Sequence, residues 1–120
     1  MPDSAVIDPQ AIANLRALNP NDNDEFLREI AGIFLEDTPQ RIAELTQSLT
    51  AGDTAKFTRA AHSIKGSSAN LGAMILRTAA ERLEHQSRTE GLVGVAPLVQ
   101  AIKTEFARAE TELRKLIAKS

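Results

Sequence analysis

The sequence predicts an all-α fold: an antiparallel up-down four-helix bundle with a short extra N-terminal helix. Apolar residues recur at intervals of three and four in every periodic segment, and no segment alternates with the two-residue period of a strand. The connections between these segments are short, which favours antiparallel neighbours. A chain of 120 residues can bury one hydrophobic core, so we expect residues 1–120 to form a single domain.

The composition excludes several classes of protein. The chain has no cysteine, which excludes disulfides and thiolate chemistry. Its net charge of −2 and its lack of Trp and Tyr argue against nucleic-acid binding. No apolar run approaches the roughly 20 residues of a membrane span, and residues 1–5 lack the basic and apolar regions of a secretion signal. We therefore expect a cytoplasmic protein that binds neither membranes nor nucleic acid.

Turn-forming residues separate the first two predicted helices. Asp8 followed by Pro9 is typical of an N-cap and a first turn, and predicts a short helix that runs to about Leu18. Residues 19–23 (Asn-Pro-Asn-Asp-Asn) favour a turn. The second helix is then expected to begin near Asn23 or Asp24, with Asp24 and Glu25 in its first turn, where they suit the helix dipole.

Pro39 interrupts the second predicted helix, and an interior proline costs about 3 kcal/mol. The apolar stripe nevertheless keeps its phase on both sides of the proline, through Leu27, Ile30, Phe34, Ile42, Leu45 and Leu49. We therefore predict one long, bent helix over about 24–50, with Pro39 facing away from the core. The alternative is two helices, with Thr38 as the N-cap of the second.

The three remaining helices follow the same apolar spacing. Asp53 is expected to cap the third helix, and Gly72 to end it in a left-handed conformation. Its narrow buried seam is predicted to contain Phe57, Ala61, Ile64, Ser68 and Leu71. The fourth helix is predicted over about 73–88, and its inward residues are Leu76, Ala79, Ala80 and Leu83. The last helix begins near Val95 with Pro97 in its first turn, and its apolar positions are Val95, Leu98, Ile102, Phe106, Ala109, Leu113 and Leu116.

His62 lies on the face of the third helix that the core does not use. At about 100° per residue it points roughly 140° away from Phe57, whereas the seam stays within about 40°. A histidine on the seam would usually be a packing residue, but the spacing predicts that this one is exposed. The competing interpretation is an exposed histidine without a role.

The residues that follow His62 favour a reactive role. Gly66 stacks beside it one turn later, costs about 0.5–1 kcal/mol relative to alanine, and would leave room for another backbone. Lys65 can share its side of the helix and would form a charge-assisted hydrogen bond to a phosphorylated imidazole. Ser67 could add a hydroxyl donor, whereas Ser68 falls on the seam and is expected to pack there.

The charge around this histidine is uneven. Residues 54–80 contain no acid, although the chain as a whole is acidic, and their cations are Lys56, Arg59, Lys65 and Arg77. A basic face suits an anionic partner or a transferred phosphoryl group. Charges that are scattered unevenly without a role are the alternative.

The segment from Ala61 to Ala73 resembles the signature of histidine-containing phosphotransfer (HPt) domains, which is approximately His-x-x-Lys-Gly-Ser-Ser followed by a Gly-Ala turn. The matching residues are His62, Lys65, Gly66, Ser67, Ser68, Gly72 and Ala73. The resemblance extends to the predicted layout of four long helices, with an exposed histidine in the middle of one of them.

The resemblance implies that His62 accepts a phosphoryl group on Nε2 from the phospho-aspartate of a receiver domain and passes it to another receiver. Lys65 would stabilise the phosphate and Gly66 would give access. The implied partners are response-regulator receiver domains, including those of hybrid histidine kinases, which would supply their own Mg²⁺. The chain itself is expected to need no cofactor or metal and to be a monomer. The expected partner surface surrounds His62 and includes Thr58, Arg59, Ala69 and Arg88.

Other candidate sites are weaker. His85 is expected to be exposed without matched metal ligands. For Arg88, its position at the end of the fourth helix favours the role of a C-terminal helix cation over that of a partner contact. The acids Glu105, Glu110 and Glu112 are expected to solvate an exposed face.

Two alternative functions remain open. One is a helical adaptor that docks on receivers without carrying phosphate. The other is the phosphoacceptor domain of a chemotaxis-type kinase. The sequence has no phosphate-binding glycine loop and no kinase signature, so we expect no intrinsic kinase activity in either case.

Overall fold

The computed structural model describes residues 6–118, which form five α-helices and no strand. The helices are α1 (Pro9–Leu18), α2 (Glu25–Ala51), α3 (Thr54–Asn70), α4 (Met74–Glu90) and α5 (Ala96–Ala118). Residues 1–5, on which the expectation about a secretion signal depends, lie outside the described residues, as do the last two residues of the predicted domain. None of the described helices combines the length and apolar character that spanning a bilayer requires.

The four long helices pack around one core in the order of the sequence. Helix α3 contacts α2 and α4, while α5 contacts α4 and α2, so α3 and α5 lie diagonally opposite each other. Packed neighbours that are joined by only a few residues must run in opposite directions, which agrees with the predicted up-down bundle. The short α1 packs against α2, and the Asp8 N–H donates to the carbonyl of Gly72 in the α3–α4 connection at 2.8 Å.

Helix α2 continues through Pro39, so the single-helix prediction is confirmed. Pro39 is exposed, whereas Phe34 and Leu45, on either side of it in the sequence, are buried. The proline leaves one helical hydrogen bond unmade, and burial of the apolar stripe on both sides offsets that loss. Thr38, the alternative N-cap, is fully buried inside the helix.

The helix ends follow most of the predicted caps. Asp8 and Asp53 cap α1 and α3 through their side chains, as expected. The start of α2 differs, because Asp24 is its N-cap in a left-handed conformation (φ 65°) instead of lying in the first turn. The side chain that satisfies this helix end is Asp22, which accepts a hydrogen bond from the Phe26 N–H at 2.9 Å.

The predicted apolar positions form the core. The seam of α3 is fully buried, including Ser68, whose hydroxyl donates to the carbonyl of Ile64. Six of the predicted positions are only partly buried, although all of them pack against the core: Ile30, Ile42, Leu49, Ala79, Leu98 and Leu116. Val99, which the spacing missed, is buried on α5.

Gly72 has the predicted left-handed conformation, with a φ of 73°. A Cβ at this position would lie 2.5 Å from the Cβ of Ala11 and 3.2 Å from the main-chain oxygen of Asp8. Glycine is therefore needed here for two reasons, the backbone conformation and the close approach of the α1 region.

We expect Gly72→Ala to lower the free energy of unfolding by about 2–4 kcal/mol, because it combines left-handed strain with overpacking against Ala11. Gly52→Ala is the matched control, since Gly52 has the same φ of 73° but open space around it. The free energy of unfolding of the control should fall by only about 1–2 kcal/mol. Urea unfolding measures both losses, and equal losses would show that the α1 region moves aside without cost.

Candidate functional site

His62 lies on the exposed face of α3, as predicted, and its side chain is 62% exposed. Its Nδ1 is 2.8 Å from Oε2 of Glu84 on α4. An ionised carboxylate can only accept a hydrogen bond, so Nδ1 carries the proton. In the neutral ring, Nε2 therefore has the free lone pair and is the nucleophilic nitrogen.

Glu84 is the centre of this site, and the sequence analysis missed it. Its side chain is 3% exposed, yet it contacts two cations besides His62: Lys65 Nζ lies 2.7 Å from Oε1, and Arg88 Nη2 lies 2.8 Å from Oε2. One signal could have revealed it, because the three- and four-residue spacing that buries Ala80 also reaches Glu84 and Ser87. A charged residue on the buried face of a helix needs partners from elsewhere in the fold.

The pKa of Glu84 is lowered from its ordinary value of 4.5. Burial is the largest single influence and raises the pKa, but the hydrogen bonds and charges of Lys65 and His62 together outweigh it. The carboxylate is therefore ionised at neutral pH and remains an acceptor for the Nδ1 proton.

Lys65 lies beside His62, as predicted, but its ammonium group is already engaged by Glu84 and the side chain is only 26% exposed. Arg88 forms its ion pair within α4 and is 61% exposed. Both cations have N–H donors in excess of these single contacts, so each can also reach a second anion. With two cations on one carboxylate, the site keeps a net positive charge even when the imidazole is neutral.

Gly66 is exposed on α3, and a Cβ there would meet no atom within 4 Å. Its φ is an ordinary helical one, so neither the backbone nor the packing of this chain requires glycine. The surface beside His62 is therefore open at Gly66, and the role of this glycine in access for another molecule stays a prediction.

The other predicted site residues divide into two groups. Arg59 and Ala69 are exposed on α3, as a partner surface requires. Ser67 donates its hydroxyl to the backbone of its own helix at 3.1 Å, so this donor is not directed at the imidazole. Thr58 forms a hydrogen bond of 2.7 Å with the Ser87 hydroxyl, and this contact joins α3 to α4.

The remaining candidates are His85 and the three acids of α5. His85 is exposed, as predicted, and no group of three or more potential metal ligands occurs in residues 6–118. The prediction for Glu105 is wrong, because its side chain is only 18% exposed and pairs with Arg108 at 3.0 Å. Glu110 and Glu112 also pair with cations on α5, one turn further along the helix.

Residues 29–112 match a family model described as the Hpt domain. The chain is 31% identical over 96 residues to Multistep phosphorelay regulator 1 of Schizosaccharomyces pombe, covering 80% of this chain and 32% of that protein. It is 23% identical over 105 residues to Histidine-containing phosphotransfer protein 2 of Arabidopsis thaliana, covering 85% of this chain and 67% of the relative. The chain therefore spans about a third of the length of the first relative and two thirds of the second.

Two solved structures share the whole architecture. The histidine-containing phosphotransfer protein B of Pseudomonas aeruginosa PAO1 superimposes with a TM-score of 0.87 at 28% identity, covering 98% of this chain and 99% of that one. A histidine-containing phosphotransfer protein from maize gives a TM-score of 0.83 at 21% identity, covering 94% and 83% of the two chains. At this lower identity, the maize structure supports the fold alone.

We expect Glu84→Gln to lower the free energy of unfolding at pH 7 by about 1–3 kcal/mol, because Lys65 and Arg88 lose their charged partner. The pKa of Glu84 is lower in the folded chain, so its ionised form stabilises the fold above the ordinary value of 4.5. This contribution disappears as the pH falls through the lowered pKa. The difference between wild type and variant should therefore shrink below about pH 4.5.

Urea unfolding of both proteins between pH 3 and pH 7 measures this difference. Glu81→Gln is the matched control, because Glu81 is on the same helix but is 53% exposed, with Arg77 3.6 Å away. An exposed pair of this kind contributes little, so its loss should change stability only slightly at any pH. A difference for Glu84→Gln that stays constant down to pH 3 would contradict the proposed role of its charge.

Proposed function

Because the chain belongs to the histidine-containing phosphotransfer (Hpt) domain family, we propose that it carries a phosphoryl group on Nε2 of His62 between the aspartates of receiver domains. The observation that supports this best is the hydrogen bond from Nδ1 to Glu84. It directs the free lone pair of an exposed ring to Nε2, with open space over Gly66 beside it.

In the proposed transfer, the Nε2 lone pair attacks the phosphorus of the receiver's phospho-aspartate. The N–P bond forms while the P–O bond to the aspartate breaks, and the aspartate leaves as a carboxylate with the electron pair. Nδ1 keeps its proton, so the product is a phospho-imidazolium whose positive charge faces Glu84. Transfer to a second receiver reverses these bond changes, with the neutral imidazole as leaving group.

The transferred group needs positive charge around its oxygens more than it needs a general base. On this chain, Lys65 and Arg88 are the cations that can supply it, because each has donors that Glu84 does not use. On the receiver's side of the reaction, we propose that Mg²⁺ held by the receiver supplies the positive charge around the transferred group.

We further propose that the phosphoryl group comes from a protein donor in the cytoplasm and not from ATP, and that the chain acts as a monomer.

We expect wild-type chain to take up radiolabelled phosphate from a phosphorylated receiver domain of its own genome, while the receiver loses its label. His62→Gln should take up none, because the nucleophilic nitrogen is gone. His85→Gln is the matched control, since His85 is also exposed but has no described partner on its ring. No label on wild type with any receiver of the genome, or label that persists on His62→Gln, would exclude the proposal.

Gly66→Ala is expected to have opposite effects on the stability of the chain and on the access of a receiver to His62. The variant should unfold at higher urea, with a gain of about 0.5–1 kcal/mol, because alanine is the better helix former and its Cβ meets no atom. Phosphotransfer should nevertheless fall by about tenfold or more, because the new methyl group stands where the receiver's backbone must approach.

Gly32→Ala on α2 provides the comparison for stability, because its Cβ also meets no atom within 4 Å. Both variants should gain a similar amount in urea unfolding. A Gly66→Ala protein that is more stable and transfers phosphate at the wild-type rate would show that access does not depend on this glycine.

A further inference from the structure

A cleft of about 250 Å³ lies between α2 and α3, and its lining residues are Arg41, Glu44, Lys56, Arg59, Ala60 and Ser63. Lys56, Arg59 and Ser63 follow one another at three- and four-residue steps, so they share one face of α3. His62 is three residues beyond Arg59 and next to Ser63. The cleft is therefore continuous with the surface that presents the histidine.

The two walls of this cleft differ in charge. On α2, Arg41 is held by Asp37 at 3.2 Å and by both carboxylate oxygens of Glu44 at 2.8 and 2.9 Å. On α3, neither Lys56 nor Arg59 has an ion-pair partner within residues 6–118. The cleft keeps an excess of positive charge even when Asp37 is counted, and this excess lies on the α3 side.

We propose that Lys56 and Arg59 bind an acidic side chain of the docking receiver domain, at a point separate from its phosphoacceptor aspartate. This inference rests on the proposed function, because His62 brings the receiver to the same face of α3. Two cations one turn apart on a helix can hold a carboxylate between them, and the exposed Ser63 hydroxyl can add a donor. The cleft thus distinguishes receivers that carry an acid at this point from those that do not.

The dimensions and charges favour a protein side chain over other anions. A volume of about 250 Å³ is smaller than the roughly 300–1,000 Å³ of a typical small-molecule site, so a single side chain fits better than a free ligand. The chain as a whole is acidic, with a net charge of −2, which opposes the general electrostatic attraction of nucleic acids.

The test measures binding and transfer separately, with the receiver that labels or binds the wild-type chain best among those of its own genome. Lys56→Gln combined with Arg59→Gln should raise the Kd for that receiver about tenfold at low salt, and much less at about 500 mM NaCl, because exposed charges are screened. The transfer rate at saturating receiver should stay near wild type, because neither residue contacts the transferred group.

The matched control removes the same charge elsewhere, by Arg82→Gln combined with Lys103→Gln. Lys103 is on α5, diagonally opposite α3, and Arg82 lies on the α4 surface next to α5. This variant should bind and transfer like wild type. An equal rise in Kd for both double variants would overturn the proposal, because only net charge would then matter.

Other outcomes also decide the question. If the cleft variant binds as tightly as wild type, or if it slows transfer at saturation without changing the Kd, the proposal is wrong. If the wild-type chain takes up no label while the cleft variant still binds the receiver more weakly, the proposal for the cleft is supported and the proposed phosphotransfer function is wrong. If no receiver binds, or if the two cations matter only for an added oligonucleotide, the proposal is overturned.

Discussion

The buried carboxylate of Glu84 joins α3 to α4 and determines the hydrogen bonding of His62. An isolated charge at 3% exposure would be strongly unfavourable, and this one is stable because an imidazole, an ammonium and a guanidinium all donate to it. These contacts fix the tautomer of His62, hold Lys65 beside the ring and join the middle of α3 to α4. Folding and the tautomer of the ring therefore depend on the same group.

The apolar core explains why the histidine stays exposed. Ala61 and Ile64, on either side of His62 in the sequence, are fully buried, so α3 cannot rotate about its axis without exposing them. His62 lies on the opposite side and is presented to solvent by a helix whose orientation the core determines. A side chain in the middle of a packed helix is held more rigidly than one on a loop, and under the proposed function this rigidity suits a reaction that depends on alignment.

Local geometry made much of this structure predictable. The helical spacing of apolar residues predicted the five helices, the continuity of α2 through Pro39 and the exposure of His62. Each of these features depends only on positions within one segment. The contacts of Glu84 could not be derived in that way, since Glu84 and His62 are 22 residues apart and meet only when α3 docks on α4. The acid-free segment 54–80 suggested an open basic face, but the neighbouring helix supplies the acid that engages Lys65.

Under the proposed function, Glu84 also limits how tightly the phosphoryl group is held. Lys65 and Arg88 bind the carboxylate before transfer, so Glu84 already balances part of their positive charge when a phosphoryl group on Nε2 contacts their remaining donors. Without the carboxylate, two free cations would stabilise the phosphorylated state more strongly and would slow release to the next receiver. A carrier needs similar free energies before and after transfer, because an interaction that is too favourable in either state becomes a barrier to the next step. The buried acid therefore does two things at once: it prepares the ring for attack and it keeps the product ready to leave.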